Sequence, residues 1–86
     1  NHKNIGVSQY RILLKLSASE AKKTISILGE IPNVTKIMKL LGDWDLEFNL
    51  DVHLQNDIEK LINKIYDLSD GGIRDIVYFR TTSRLK

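Results

Sequence analysis

The nineteen residues from Val34 to Val52, VTKIMKLLGDWDLEFNLDV, limit what this chain can fold into more than any other stretch. Their second half alternates without a break, with Trp44, Leu46, Phe48, Leu50 and Val52 on one face and Asp45, Glu47, Asn49 and Asp51 on the other. A period of two belongs to a strand with one dry face and one wet face. The first half mixes β-branched and long apolar residues with lysines, and Gly42-Asp43 between the halves suits a reversal of the chain. The whole stretch predicts a β-hairpin. Its register stays open: one pairing sets Lys39 opposite Leu46, another sets Met38 opposite Phe48, and a slip of one residue exchanges the faces. The turn also gathers a glycine, an indole and the carboxylates of Asp43 and Asp45, so a site, if the chain carries one, is expected there. The plain structural alternative is that Gly42-Asp43 is good turn chemistry and Trp44 an ordinary sheet aromatic.

Upstream, Asn1 to Val7 is polar and contains a glycine, which reads as a linker or hinge. Ser8 to Leu16 sets Tyr10, Ile12, Leu14 and Leu16 against Gln9, Arg11, Leu13 and Lys15, a strand with one apolar and one mixed face. The period then changes. Ser17-Ala18-Ser19-Glu20 fits a capping box, and Ala18, Ala21, Ile25 and Leu28 recur at helical spacing up to Gly29, a candidate left-handed C-cap. Pro32 keeps that helix from resuming.

Downstream, Asn56 and Glu59 resemble a second capped start. Ile58, Leu61, Ile62, Ile65 and Leu68 form an amphipathic stripe, with Glu59, Lys60, Asn63, Lys64 and Asp67 outside and Gly71-Gly72 as a stop. Ile73 to Thr81 reads as a last strand with Ile76 and Tyr78 on one face and Val77 and Phe79 on the other. Arg80, Arg84 and Lys86 make the end basic.

The order strand, helix, strand, strand, helix, strand predicts an α+β, ferredoxin-like βαββαβ sandwich: a four-stranded antiparallel sheet with two helices on one face. The first and third strands are then central neighbours, which brings Arg11 and Lys15 near Asp45, Glu47 and Asp51. The first and last strands leave Leu13 and one apolar set on the face the helices do not cover, and an uncovered apolar face marks an interface.

Eighty-six residues suffice for one domain with one core, and no apolar run approaches the roughly 20 residues of a membrane helix. No membrane partner is therefore expected. No signal peptide is recognisable at the start. The absence of cysteine excludes a disulfide framework and thiolate metal sites and fits a reducing compartment, so a cytoplasmic location is expected. Thirteen basic and eleven acidic residues leave a net charge of +2, too little for a general attraction to nucleic acid. His2 and His53 have no partner at metal-ligand spacing. No residue arrangement suggests a nucleophile and no glycine-rich loop cradles phosphate, so neither a catalytic residue, nor a metal, nor a cofactor is expected, and the chain does not read as an enzyme.

The hairpin LLGDWD, preceded by the proline turn IPNV and followed by an alternating strand and an amphipathic helix, resembles the Gly-Asp-Tyr-Asp signature of the effector domain of the Lrp/AsnC family of transcriptional regulators. NIGVSQYRILLKL is similar to that family's hinge and first strand, and GIRDIVYFRTT to its last. The resemblance runs from about Gly6 to Thr82, and its sharpest motif is four residues long. Trp44 stands where the family usually has tyrosine, which keeps the ring and loses the hydroxyl.

The resemblance implies a ligand-sensing and oligomerisation domain over residues 8–82, with a hinge at 1–7 and a basic tail at 83–86. It implies dimers paired through their sheets and assembling further into octamers, with a small-molecule effector, an amino acid, bound between subunits at Gly42, Asp43, Trp44 and Asp45. DNA would be reached only through a domain upstream of Asn1. Glycine lets a ligand approach the backbone closely, and a carboxylate can hold an ammonium group. The alternative is a standalone effector-binding or oligomerisation module without a DNA-binding domain. An RNA-binding domain of the same topology would need aromatic and basic residues where this chain has Asp45, Glu47, Asn49 and Asp51. An enzyme resembling acylphosphatase would need an anion-binding loop in place of Leu16-Ser17-Ala18-Ser19.

Overall fold

The computed structural model of the chain describes residues 7–53 and 58–81. In β1 (Val7–Leu16), Ile12, Leu14 and Leu16 are buried while Arg11, Leu13 and Lys15 on the opposite face are exposed or half-buried, as alternation demands. A 3₁₀ turn over Ala18–Glu20 leads into α1 (Ala21–Gly29). The hairpin follows as β2 (Val34–Lys39) and β3 (Leu46–His53), then α2 (Ile58–Leu68) and β4 (Ile73–Arg80). The sheet order is β2-β3-β1-β4 with every pairing antiparallel, so β1 and β3 lie in the centre. The fold is the expected ferredoxin-like sandwich. One core unites Ile12, Leu14, Leu46, Phe48 and Leu50 from the sheet with Leu28 of α1 and Ile62 and Ile65 of α2. Both helices therefore cover the same sheet face.

The hairpin register is the one with Lys39 opposite Leu46, but only near the turn. At the other end Val34 faces Leu50, one residue out of step, and the pairing shifts between Thr35 and Met38. Lys36 sits in that bulge with φ +52, a conformation most side chains avoid. The extra residue reverses the parity of the strand. Ile37 is thereby turned onto the core, and Met38 is left half exposed on the other side.

Several local expectations need correction. The turn is a loop over residues 40–45, longer than the Gly42-Asp43 pair, and it is closed by the Leu40 N–H donating to the Asp45 carbonyl at 2.9 Å. The capping box does not form. Ser17 makes no side-chain bond to the helix start, and its own N–H donates to the Gly72 carbonyl at 3.3 Å. Glu20 packs against Gly72, where an added Cβ would come within 2.9 Å of the Glu20 Cβ, and its carboxylate Oε1 lies 3.9 Å from the Lys23 ammonium.

Gly29 is not a left-handed cap. α1 ends instead in a tightened turn, with the Glu30 N–H donating to Ile27 at 3.1 Å and the Ile31 N–H to Leu28 at 3.1 Å, and Pro32 then occupies a turn closed by Val34 N–H to Ile31 at 3.0 Å. The stripe on α1 is also shifted. Ala18 is exposed on the 3₁₀ turn, while Thr24 is fully buried, its hydroxyl without a partner among the described residues. On α2, Ile62 and Ile65 are buried but Leu68 is 46% exposed, beyond the reach of the core. The stop after α2 is as expected, with Asp70 at φ +50 and Gly71 at φ +84. Of the linker expected over residues 1–7, Val7 instead opens β1 by pairing with His53, and residues 1–6, His2 among them, lie outside the described residues, as do the Asn56 cap and the tail residues Arg84 and Lys86.

Candidate functional site

The loop between β2 and β3 is positioned by two backbone groups and the carboxylate of one residue, Asp45. Asp45 donates its N–H to the Leu14 carbonyl at 2.9 Å, accepts at its carbonyl from Leu40 at 2.9 Å, and accepts at its side-chain Oδ2 from the Leu16 N–H at 2.8 Å. The carboxylate thus completes the end of β1, a charge-assisted bond to a backbone donor. Asp45 is held in place by the fold, and its Oδ2 is already engaged.

Asp43 is different. It is exposed and makes no hydrogen bond or ion pair with any described residue. Gly42 beside it has φ +120, which a side chain rarely adopts, and an added Cβ there would meet nothing within 4 Å. The glycine is required by the backbone and leaves the outside of the loop open to approach. The alternation that groups Trp44 with Leu46 and Phe48 ends where β3 begins, at Leu46. Trp44 is half-buried, with the Lys15 ammonium 5.5 Å from its ring centroid, a cation over an aromatic face. Lys15 projects from the face of β1 opposite to the buried Leu14 and Leu16, so the indole lies on the open side of the sheet and not in the core.

Of the four expected residues, Gly42, Asp43 and Trp44 form an open surface and Asp45 anchors it. The sequence reading missed two neighbours. Lys15 was expected to pair with acids, but Arg11 takes Glu47 at 3.1 Å and Gln9 takes Asp51 at 3.0 Å, which leaves the lysine to the indole. Leu41 is 103% exposed, fully in water. Its signal was available, since Leu40-Leu41 falls outside any alternation. The open sheet face beyond the loop carries the half-buried Leu13 and Val77, directly opposite each other, with Phe79 at 45% exposure beside Arg11. Among the described residues no three His, Asp or Glu converge as metal ligands, and no helix is long and apolar enough to cross a membrane.

No protein-family model matches the chain, and no curated protein is detectably similar to it in sequence. Solved structures are similar in shape. E. coli AsnC matches with a TM-score of 0.78 at 17% identity, over 98% of this chain and 56% of that one. PH0061 matches with a TM-score of 0.77 at 22% identity, over 94% of this chain and 55% of that one. The transcriptional regulator NMB0573 from Neisseria meningitidis, in a complex with L-Met, matches with a TM-score of 0.73 at 18% identity, over 98% and 55%. The chain spans about half the length of these structures. At such identities the likeness is one of fold alone, the fold of the matched half of each of these structures.

Proposed function

We propose that this chain is the ligand-sensing and oligomerisation domain of an Lrp/AsnC-like transcriptional regulator. The observation that carries the reading is the fold it shares, over nearly its whole length, with half of AsnC-type regulators. In this reading residues 7–82 are the domain, 1–6 the hinge and 83–86 a basic tail. DNA is contacted by a further domain, in the cytoplasm, and the chain itself catalyses nothing. Two copies pair through the open sheet face at Leu13, Val77 and Phe79, where apolar surface would leave water. The effector is an amino acid bound between subunits at the loop: Asp43 holds its ammonium group, Gly42 admits it to the backbone, and Trp44 supplies an apolar plate. Asp45 belongs to the site as the residue that fixes the loop.

The test is a thermal-shift screen of the common amino acids on the unaltered chain and on Asp43→Asn. At least one amino acid should raise the melting temperature. Loss of a charge-assisted bond worth roughly 1.5–3 kcal/mol should weaken that ligand roughly 10- to 150-fold in the variant. A screen in which no amino acid stabilises the unaltered chain refutes the effector reading, and a ligand that stabilises both forms equally removes Asp43 from the site.

A further inference from the structure

α1 and α2 stand on the same sheet face without packing closely against each other, and between them lies a groove of about 570 Å³. Its floor is apolar, with Ile27 and Ile31 on the α1 side and Leu68, the last residue of α2, on the other. The polar groups at its edges are few, and the fold leaves them available. Lys64 makes no ion pair or side-chain hydrogen bond with a described residue, and neither does the Ser26 hydroxyl. Lys23 has only its long 3.9 Å contact with Glu20. The two ammonium groups rise from opposite walls, one from each helix, and Glu30 is the single acid in the lining, so the groove carries a net positive charge.

The size and the lining are those of a small-molecule site, a mostly apolar cleft with a few placed polar groups. A bare anion such as phosphate would leave Ile27, Ile31 and Leu68 in water, and a neutral hydrocarbon would leave both ammonium groups unanswered. What answers both features is a molecule apolar along its body and anionic at one end. We propose that the groove binds a free amphipathic carboxylate, an aliphatic or aryl acid. Its apolar body lies on Ile27, Ile31 and Leu68, and its carboxylate sits between Lys64 and Lys23, where the Ser26 hydroxyl can donate. The α1 wall from Lys23 to Glu30 is about 10 Å long, which suits a chain of medium length. The helices cover the sheet face opposite Leu13, Val77 and Phe79, and none of the groove residues belongs to the β2–β3 loop. The site is therefore separate from both the open sheet face and the residues assigned to the amino-acid effector, and it does not rest on that assignment.

The test is isothermal titration calorimetry of the chain with decanoate, kept below its micelle concentration, and with decanol and decylammonium, which keep the hydrocarbon and replace the anion by a neutral and a cationic group. Decanoate should bind at one site, decanol more weakly, and decylammonium not measurably. Lys64→Gln should weaken decanoate roughly three- to tenfold and leave decanol unchanged, because only the charge has gone. Leu68→Glu should abolish binding of both. Lys64 and Leu68 are exposed, so circular dichroism should find both variants folded. Asp43→Asn should bind decanoate as the unaltered chain does, which separates this groove from the loop. The proposal is overturned if decanoate does not bind, if decanol or decylammonium binds as tightly, if Leu68→Glu leaves decanoate binding intact, or if Asp43→Asn loses it. Phosphatidylglycerol vesicles present an apolar and anionic surface of their own. Co-sedimentation of the chain with them that Leu68→Glu abolishes would assign the groove to a membrane and overturn the proposal as well.

Discussion

Replacing Asp45 by alanine should destabilise this domain, whereas replacing Asp43 by alanine should not. The two carboxylates stand two residues apart on one exposed loop, and their difference is the Leu16 N–H, which donates to Asp45 Oδ2 at 2.8 Å. A hydrogen bond to a charged acceptor contributes roughly 1.5–3 kcal/mol, and a buried N–H left without its partner costs about 1–3 kcal/mol, a penalty that shrinks where water can take the partner's place. Asp45 is exposed as a residue, so solvent offsets part of this, and about 1–2 kcal/mol is expected for Asp45→Ala. For a domain of this size each kcal/mol moves the melting temperature by about 4–8 °C, which gives a drop of roughly 5–15 °C. Asp45→Asn keeps an acceptor oxygen and should lose less than half as much. Asp43→Ala should stay within about 0.5 kcal/mol of the unaltered chain. Thermal and urea unfolding followed by circular dichroism measure all three, with an unchanged urea slope as the sign that the unfolded state is not responsible. If Asp45→Ala melts with the unaltered chain, or if Asp43→Ala falls as far, the division of the loop into anchor and open surface is wrong.

Two further outcomes follow from the same geometry. Gly29 has no left-handed backbone and an added Cβ would meet nothing within 4 Å, so Gly29→Ala should stabilise the chain by up to about 1 kcal/mol, seen as a higher urea midpoint; a loss of stability would restore the left-handed cap expected from the sequence. Phe79→Lys, on the open sheet face directly across from Arg11, places like charges together and should convert pairs to monomers in sedimentation while changing melting little, and a pair that survives it would rule out association through that face.

What could be read from the sequence was whatever repeats. Alternation in Leu46 to Val52 and in Ile12 to Leu16, and helical spacing in Ile58 to Ile65, place the central strands, the second helix and most of the core, because burial on one face imposes a period on every residue of an element. What failed were single-residue interruptions of a period. The bulge at Lys36 inserts one residue and so exchanges Ile37 and Met38 between faces, and no local composition announces it. Ser17 and Glu20 carry the spacing of a capping box, but the Gly72 carbonyl and the Gly72 backbone, more than fifty positions along the chain, take up the N–H and the side chain that the box would use. A motif read locally loses to a contact made at long range.

The same logic divides the candidate site. Asp43 and Asp45 have the same residue type and the same parity along the alternating stretch, and each neighbours Trp44, so nothing in the sequence distinguishes a ligand group from a structural one. The distinction comes from β1, where the backbone of Leu14 and Leu16 bonds Asp45 on both its N–H and its carboxylate. That engagement in turn stiffens the loop, and a stiff loop is what allows Gly42, Asp43 and Leu41 to be held out in water in one arrangement. A ligand or a second subunit then meets a surface already ordered, and the entropy of fixing the loop is met during folding and not at binding. The aspartate that touches no ligand would on this account still govern affinity, through the order it imposes on the one that does.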